Sequence, residues 1–242
     1  MGRRTFENYG RLARAGVDPT QATMRYPCQE RDERLVIADI VEKLEIVPDD
    51  DLLEVGCGVG TNLIPLAFMC RSVTGLDHEA VVAAMKQRFP GPPDIATVAG
   101  NFLDLDVGTR YSKVLVYGVL HCLANMAEVV SFVNKAADLV EPGGRLLLGD
   151  LPNADKKQRF LSTEDGAAFQ ADWEQRRAQD VDQTFVEYDD DADIIGAFSD
   201  VTIAQLLGEL RDRGFESYLL PQPPDLPFGR TREDILAVRY AT

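Results

Sequence analysis

The chain has little histidine, tryptophan or basic charge, and it lacks any long apolar run. Two histidines and one tryptophan, Trp173, occur in 242 residues. Four cysteines, Cys28, Cys57, Cys70 and Cys122, form no CxxC pair and no ligand-like cluster. That pattern suggests neither a zinc site nor a disulfide framework, so no metal is expected and a reducing cytoplasm suits the chain. Lysine and arginine number 25 against 40 aspartates and glutamates, for a formal net charge of −15 and a pI near 4.5. Nucleic-acid binders need basic surface to displace counterions, which argues against nucleic acid as a partner. The negative charge itself reads as solubility rather than steering. No stretch approaches the roughly 18 apolar residues of a bilayer span, so no membrane is expected either. The opening Met1-Gly2-Arg3-Arg4-Thr5-Phe6 mimics a twin-arginine signal, yet no apolar segment follows, and Phe6 stands where a myristoylation signal carries serine or threonine. Repeats and low-complexity tracts are absent as well. What is there is 45% hydrophobic content, enough at this length to bury the core of one α/β domain. A small molecule is the expected partner.

Apolar residues sort into alternating strands and helices. Glu30 to Leu44 carries Leu35, Val36, Ile40, Val41 and Leu44 at helical spacing, the mark of an amphipathic helix packed on a sheet. Further helices are expected from Glu79 to Arg88, Met126 to Val140 and Thr202 to Arg213, each alternating with a strand, as in a doubly wound α/β sheet. Residues 1 to 28 show no clear periodicity and contain Gly10, Gly16, Pro19 and Pro27, so they read as a flexible arm or cap. From Leu151 to about Asp200 the alternation lapses into a polar, acid-rich segment that holds Trp173 and Asp189-Asp190-Asp191. Pro221 to Arg230 is too proline-rich for the interior of a strand or helix.

The most telling stretch is Leu52-Leu53-Glu54-Val55-Gly56-Cys57-Gly58-Val59-Gly60-Thr61-Asn62, an apolar strand that runs into a glycine-rich turn and then a helix. Without Cβ atoms, Gly56, Gly58 and Gly60 let the backbone bend sharply and a ligand come close, while the next helix N-terminus offers N–H donors. The spacing is GxGxG. A dinucleotide fingerprint, GxGxxG, would need its third glycine where Thr61 stands, which disfavours a dehydrogenase.

From this turn onward the chain resembles the class I S-adenosylmethionine-dependent methyltransferases, over roughly the first two-thirds of its length. Ser72-Val73-Thr74-Gly75-Leu76-Asp77 is similar to the family's second strand, which ends in an acid, and a carboxylate there accepts both ribose hydroxyls. Ile95-Ala96-Thr97-Val98-Ala99-Gly100-Asn101-Phe102 is similar to the third strand and its exit. The family carries an acid there for the adenine amino group; this chain has Asn101, whose amide oxygen also accepts. Lys113 to His121 resembles the fourth strand and the start of the active-site loop, and Glu141 to Gly149 resembles the fifth strand with its entry turn. The resemblance implies a Rossmann-like, doubly wound α/β fold: a seven-stranded sheet with the last strand antiparallel and helices on both faces, Glu216 to Leu220 and Asp234 to Val238 supplying the final two strands. It implies one domain over 1–242, with an N-terminal arm or cap over 1–45 and an active-site insertion at about 151–200. The cofactor it implies is S-adenosyl-L-methionine, leaving as S-adenosyl-L-homocysteine. The residues implied to hold it are Glu54, Gly56, Cys57, Gly58, Gly60, Asp77, His78, Asn101, Phe102 and Tyr117, with Glu54 facing the zwitterionic methionine end.

Methyl transfer from a sulfonium is an in-line displacement, so such an enzyme positions a nucleophile and, for an oxygen nucleophile, removes a proton. His121, just past the fourth strand, is the candidate catalytic residue; a structural loop histidine is the other reading of it. Tyr117-Gly118-Val119-Leu120 lacks the Asn/Asp-Pro-Pro-Tyr signature that resembles amino-group methylation of bases or glutamine, and it lacks the Pro-Cys of cytosine-C5 enzymes. No aspartate stands near Tyr117, as it would in metal-dependent catechol-type enzymes, and the acids from Asp189 to Asp193 read as solvated. Oxygen is therefore the expected acceptor. Arg230 and Arg232, with Lys156, Lys157 and Arg159, are candidates to grip an anionic substrate through phosphate or carboxylate; surface ion pairing is the commoner role for any one of them. Asp150-Leu151-Pro152-Asn153 with Lys156 to Leu161, and Tyr218 to Pro221 with Arg232-Glu233-Asp234-Ile235, look similar to methyltransferases of bacterial surface-glycan pathways. That likeness implies O-methylation of a sugar or of a phosphorylated or carboxylated metabolite in glycan biosynthesis. A non-catalytic S-adenosylmethionine-binding scaffold and an aminopropyl-type transferase on the same fold are the alternatives.

Overall fold

The computed structural model describes residues 3–15, 26–179 and 194–241. Among these residues seven strands form one sheet: β1 (Asp51–Val55), β2 (Ser72–Asp77), β3 (Ala96–Ala99), β4 (Tyr111–Tyr117), β5 (Val140–Pro152), β6 (Phe215–Pro221) and β7 (Arg232–Arg239). Their order is β3-β2-β1-β4-β5-β7-β6. Strands β1 to β5 pair in parallel, and β7 runs antiparallel to both β5 and β6. This is the doubly wound sheet with an antiparallel last strand. The chain winds outward in one direction from β1 and in the other from β4, and in such sheets the ligand crevice opens at the carboxyl ends of the strands at that switch point.

Period-two burial explains why both faces are dry. In β4, Val114 and Val116 join one apolar cluster while Leu115 and Tyr117 join the other; in β5, Leu146 and Leu148 take the first side and Leu147 the second. A parallel sheet covered on both faces needs such near-continuous apolar runs. The longer described helices are α1 (Arg3–Ala15), α2 (Val36–Leu44), α3 (Glu79–Arg88), α4 (Met126–Asp138), α5 (Ala154–Leu161), α6 (Glu164–Gln179) and α7 (Asp200–Asp212), and α2, α3, α4 and α7 cover the sheet. Phe132 and Val133 of α4 and Leu206 and Leu210 of α7 fill the first face; Val36, Ile40 and Leu44 of α2 and Met85 of α3 fill the second. Each such side chain stabilises the fold by roughly 1.5–3 kcal/mol. Local signals set the helix starts. Asn125 Oδ1 accepts from the Glu128 N–H at 3.0 Å to open α4, and Ser199 and Thr202 form a reciprocal capping box at α7.

Three sequence expectations require correction. Residues 3–15, expected to lack periodic order, form α1, with Thr5, Gly10 and Leu12 buried. Gly10 does not break this helix, because it marks where the helix crosses His78: a Cβ there would lie 2.4 Å from His78 Cε1. The helix expected over Glu30 to Leu44 is divided into Glu30–Glu33 and α2. Leu35 is 41% exposed, so the core-facing stripe starts only at Val36. The polar stretch after Leu151 contains α5 and α6. Helix α6 docks through rings rather than an apolar stripe: Trp173 meets Tyr26 and Phe228 edge-on at centroid distances of 5.3 and 6.0 Å. Gly16, Pro19 and the acid run Asp189 to Asp193 fall outside the described residues.

Candidate functional site

The glycine turn is built by left-handed backbone tied to the end of β2. Gly56, Gly58 and Gly60 have φ of +79°, +54° and +82°, a region that residues with a Cβ adopt rarely. The Gly56 N–H donates to the Leu76 carbonyl at 2.7 Å, and the Gly58 N–H donates to Asp77 Oδ2 at 2.8 Å. Asp77 Oδ1 accepts from the His78 N–H at 2.6 Å. Burial pushes the Asp77 carboxyl above its usual range, while the His78 and Gly58 N–H groups oppose that shift. One carboxylate thus holds the turn against β2 and borders the cavity beside it.

Glu54, in β1 just before the turn, is 1% exposed. Its Oε1 accepts from Asn62 Nδ2 at 3.0 Å, whereas its buried Oε2 has no partner among the described residues. Burial, with the Asp77 carboxylate adding to it against the Asn62 hydrogen bond, pushes Glu54 up to about 8. A buried acceptor without a donor is costly, and this one lines the cavity.

The cavity has a volume of about 330 Å³. The turn, Glu54 and Asp77 form one wall, and Tyr117, Gly118 and His121 at the end of β4 form another. Tyr9 and Leu12 of α1 also line it, with the Tyr9 hydroxyl 3.8 Å from Cys122 Sγ. Asp150, Phe228 and Arg232 line it as well. The Arg232 Nη1 donates to Asp150 Oδ2, and its guanidinium stacks 4.2 Å from the Phe228 ring centre. A second, smaller slot of about 20 Å³ lies beyond Asp77, between Phe6, Asn101, Phe102 and Phe132.

The site residues expected from sequence therefore divide. Glu54, Gly56, Cys57, Gly58, Asp77, Tyr117, His121 and Arg232 meet in the main cavity, and Asn101 and Phe102 border the slot. Asn101 Oδ1 also accepts from the Leu103 N–H at 3.2 Å, a local cap. Three residues lie outside both spaces. Gly60 is outside the set that lines either space; a Cβ there would strike Ile64 and Met85 at 2.8 Å, so its glycine serves close packing under the turn. His78 is 4% exposed and caps α3, its Nδ1 accepting from the Ala80 N–H at 3.1 Å. Arg230 is exposed and lies 5.7 and 5.4 Å from the ring centres of Phe160 and Phe169, joining α5 and α6 to the β6–β7 loop. Lys156 and Arg159 pair with Glu233 and Asp200. Sequence reading missed Asp150, because an aspartate near Tyr117 was sought along the chain and the fold supplies one from β5. Its sequence signals are its place late in β5 and the Asp150-Leu151-Pro152-Asn153 segment of the glycan-pathway likeness. Among the described residues no cluster suits a metal ion, and no helix is long and apolar enough to cross a membrane.

Residues 53–146 match the family model described as a methyltransferase domain. Nodulation protein S of Rhizobium tropici is 25% identical over 157 residues. The match spans 64% of either chain, so this chain covers just under two thirds of that relative's length. Among solved structures, the fold matches N-methyltransferase NodS from Bradyrhizobium japonicum WM9 in complex with S-adenosyl-l-homocysteine, with a TM-score of 0.60 and 16% identity over 97% of this chain and 96% of that one. It also matches magnesium protoporphyrin IX methyltransferase from Synechocystis PCC 6803 with bound SAM, with a TM-score of 0.57 and 18% identity over 96% and 91% of the two chains. At these identities the two structures speak for the fold. The cavity's own chemistry fits such a ligand: a buried carboxylate oxygen without a donor suits an ammonium group, a second carboxylate suits hydroxyls, and an apolar slot adjoins both.

Proposed function

We propose that the chain is a class I S-adenosylmethionine-dependent methyltransferase, a reading its methyltransferase-domain match and its fold support, and that it methylates a hydroxyl oxygen of a small molecule. The observation that carries this reading is one cavity shared by the glycine turn, Asp77 and the unpartnered Glu54 oxygen on one side and by His121 and Asp150 on the other. S-Adenosylmethionine supplies an electrophilic methyl group on sulfur. In this proposal Glu54 binds the ammonium of its methionine end, Asp77 binds the ribose hydroxyls, and Asn101 and Phe102 border the adenine. His121 takes the proton from the acceptor hydroxyl, and low-dielectric walls of Tyr117 and Val119 exclude water. We treat 1–242 as one domain in which 1–45 caps the site and about 151–200 is an insertion beside it. Tyr9, Leu12, Val36 and Ile194 all line the cavity, which supports that division.

The acceptor in this proposal is a sugar or a phosphorylated or carboxylated metabolite of glycan biosynthesis. Of the two arginines expected to grip an anion, Arg232 alone borders the cavity, and Asp150 offsets its charge. A neutral, hydroxyl-rich acceptor is therefore favoured over a phosphate. A second reading, transfer to an amine, draws on the carboxylates of Glu33, Glu54, Asp77 and Asp150 around the cavity and on the N-methyltransferase named above. Cys28, Cys57, Cys70 and Cys122 are all unbridged, which fits a cytoplasmic setting. Calorimetric titration with S-adenosylmethionine and S-adenosylhomocysteine tests the cofactor assignment, with Asp77→Ala as control. Micromolar binding that disappears in the variant is expected; no binding to folded wild-type protein refutes the reading. Labelled-methyl transfer to paired hydroxyl and amine compounds then separates the two acceptors, and unchanged kcat/KM in His121→Asn removes that residue as base.

A further inference from the structure

Asp150 is held in a backbone conformation it does not favour. Its φ is +62°, which for a residue other than glycine costs on the order of 1–3 kcal/mol and persists only where the surroundings enforce it. The β5–β7 register shifts between Leu148 and Leu151, and such irregularities re-aim side chains beside functional sites. The Asp150 N–H donates to Asp234 Oδ1 at 2.8 Å. Asp234 is itself fully buried, and its Oδ2 accepts from Lys43 Nζ at 2.6 Å, which also donates to Asp39 at 2.7 Å. Lys43 and Asp234 thus brace the backbone from below, while Arg232, stacked on Phe228, grips the carboxylate from the side. The carboxylate lies over the end of β4, where a Cβ on Gly118 would sit 3.5 Å from Asp150 Oδ2.

Strain, a buried ionic brace and a cavity position converge on this one carboxylate. A carboxylate beside a guanidinium presents an acceptor and a donor side by side, with little net charge between them. Two adjacent hydroxyls match that pair: one donates to the carboxylate and the oxygen of its neighbour accepts from the guanidinium. We propose that Asp150 and Arg232 form the acceptor subsite and that it takes a vicinal diol, such as neighbouring hydroxyls of a sugar ring, presenting one of them beside His121. This deepens the methyltransferase reading and rests on it.

The test uses full-length protein saturated with S-adenosylhomocysteine and saturation-transfer NMR with methyl α-D-mannopyranoside as probe and cyclohexanol and cyclohexylamine as comparisons. The mannoside is expected to bind at least tenfold more tightly than cyclohexanol. Asp150→Asn is expected to weaken mannoside binding at least tenfold while S-adenosylhomocysteine affinity stays within twofold of wild type, because asparagine tolerates left-handed backbone. Arg232→Gln, in which the β7 backbone pairing is retained, should give the same loss. Mannoside binding that is absent in wild type, or that persists within twofold in both variants, overturns the proposal; so does tighter binding of cyclohexylamine than of the mannoside. Failure of wild-type protein to bind S-adenosylhomocysteine instead refutes the underlying methyltransferase reading.

Discussion

Glu54 should couple ligand binding to proton release. Its carboxyl rises from 4.5 to about 8, chiefly through burial, and at 1.36 kcal/mol per tenfold change the ionised form is disfavoured by roughly 5 kcal/mol. At pH 7 a group titrating near 8 is about 90% protonated. An ammonium group at the unpartnered Oε2 supplies the missing charge and donor, so binding drives the proton off. Calorimetry of S-adenosylhomocysteine binding at pH 7 in phosphate and in Tris should therefore give different heats, corresponding to release of nearly one proton. Affinity should rise by up to about tenfold per pH unit as pH approaches 8 and level off above it. Glu54→Gln should bind more weakly, with no proton exchange and a flat pH dependence. The stability of the ligand-free protein follows with a definite sign. Because the folded carboxyl titrates higher than the unfolded one, the folded state holds more protons between pH 4.5 and about 8. This residue's contribution is intact below pH 4.5 and is lost as pH rises through about 8. Glu54→Gln should thus match wild type in Tm at acidic pH and exceed it by up to roughly 10–20 °C at pH 8.5. Identical binding heats in the two buffers, together with pH-independent affinity, would refute the reasoning.

Two further substitutions probe the turn and the insertion. Gly56→Ala forces a Cβ into left-handed backbone and to 2.4 Å from Val119 Cγ2; urea unfolding should show a loss of about 1–3 kcal/mol, with S-adenosylhomocysteine binding weakened more than tenfold, and wild-type values of both would contradict the turn's role. Arg230→Ala removes the guanidinium between Phe160 and Phe169; hydrogen exchange should accelerate in α5 and α6 while acceptor KM stays within twofold, and a large KM increase would return Arg230 to the substrate site.

What the sequence determined by itself was the local part of this protein. Helix α3 occupies Glu79–Arg88, the span expected from the alternation of helices and strands, and β2 occupies Ser72–Asp77, the span the family resemblance implies, because neighbouring residues decide period and capping. The glycine turn was legible for the same reason, because it follows an apolar strand, whereas Glu54 and Asp77, near the ends of β1 and β2, were singled out through the family resemblance. Tertiary structure decided what depends on distant partners. Arg232 meets Asp150 across a separation of 82 residues, and Tyr9 reaches Cys122 across 113, contacts that no local pattern encodes. The same cause moved Arg230 out of the cavity and made Gly10 a seat for His78, since the worth of a guanidinium or a missing Cβ is set by the groups that folding places against it. Asp150 shows this most plainly: its charge is written in the chain, but its strained backbone and its grip by Arg232 exist only once β5 and β7 are paired.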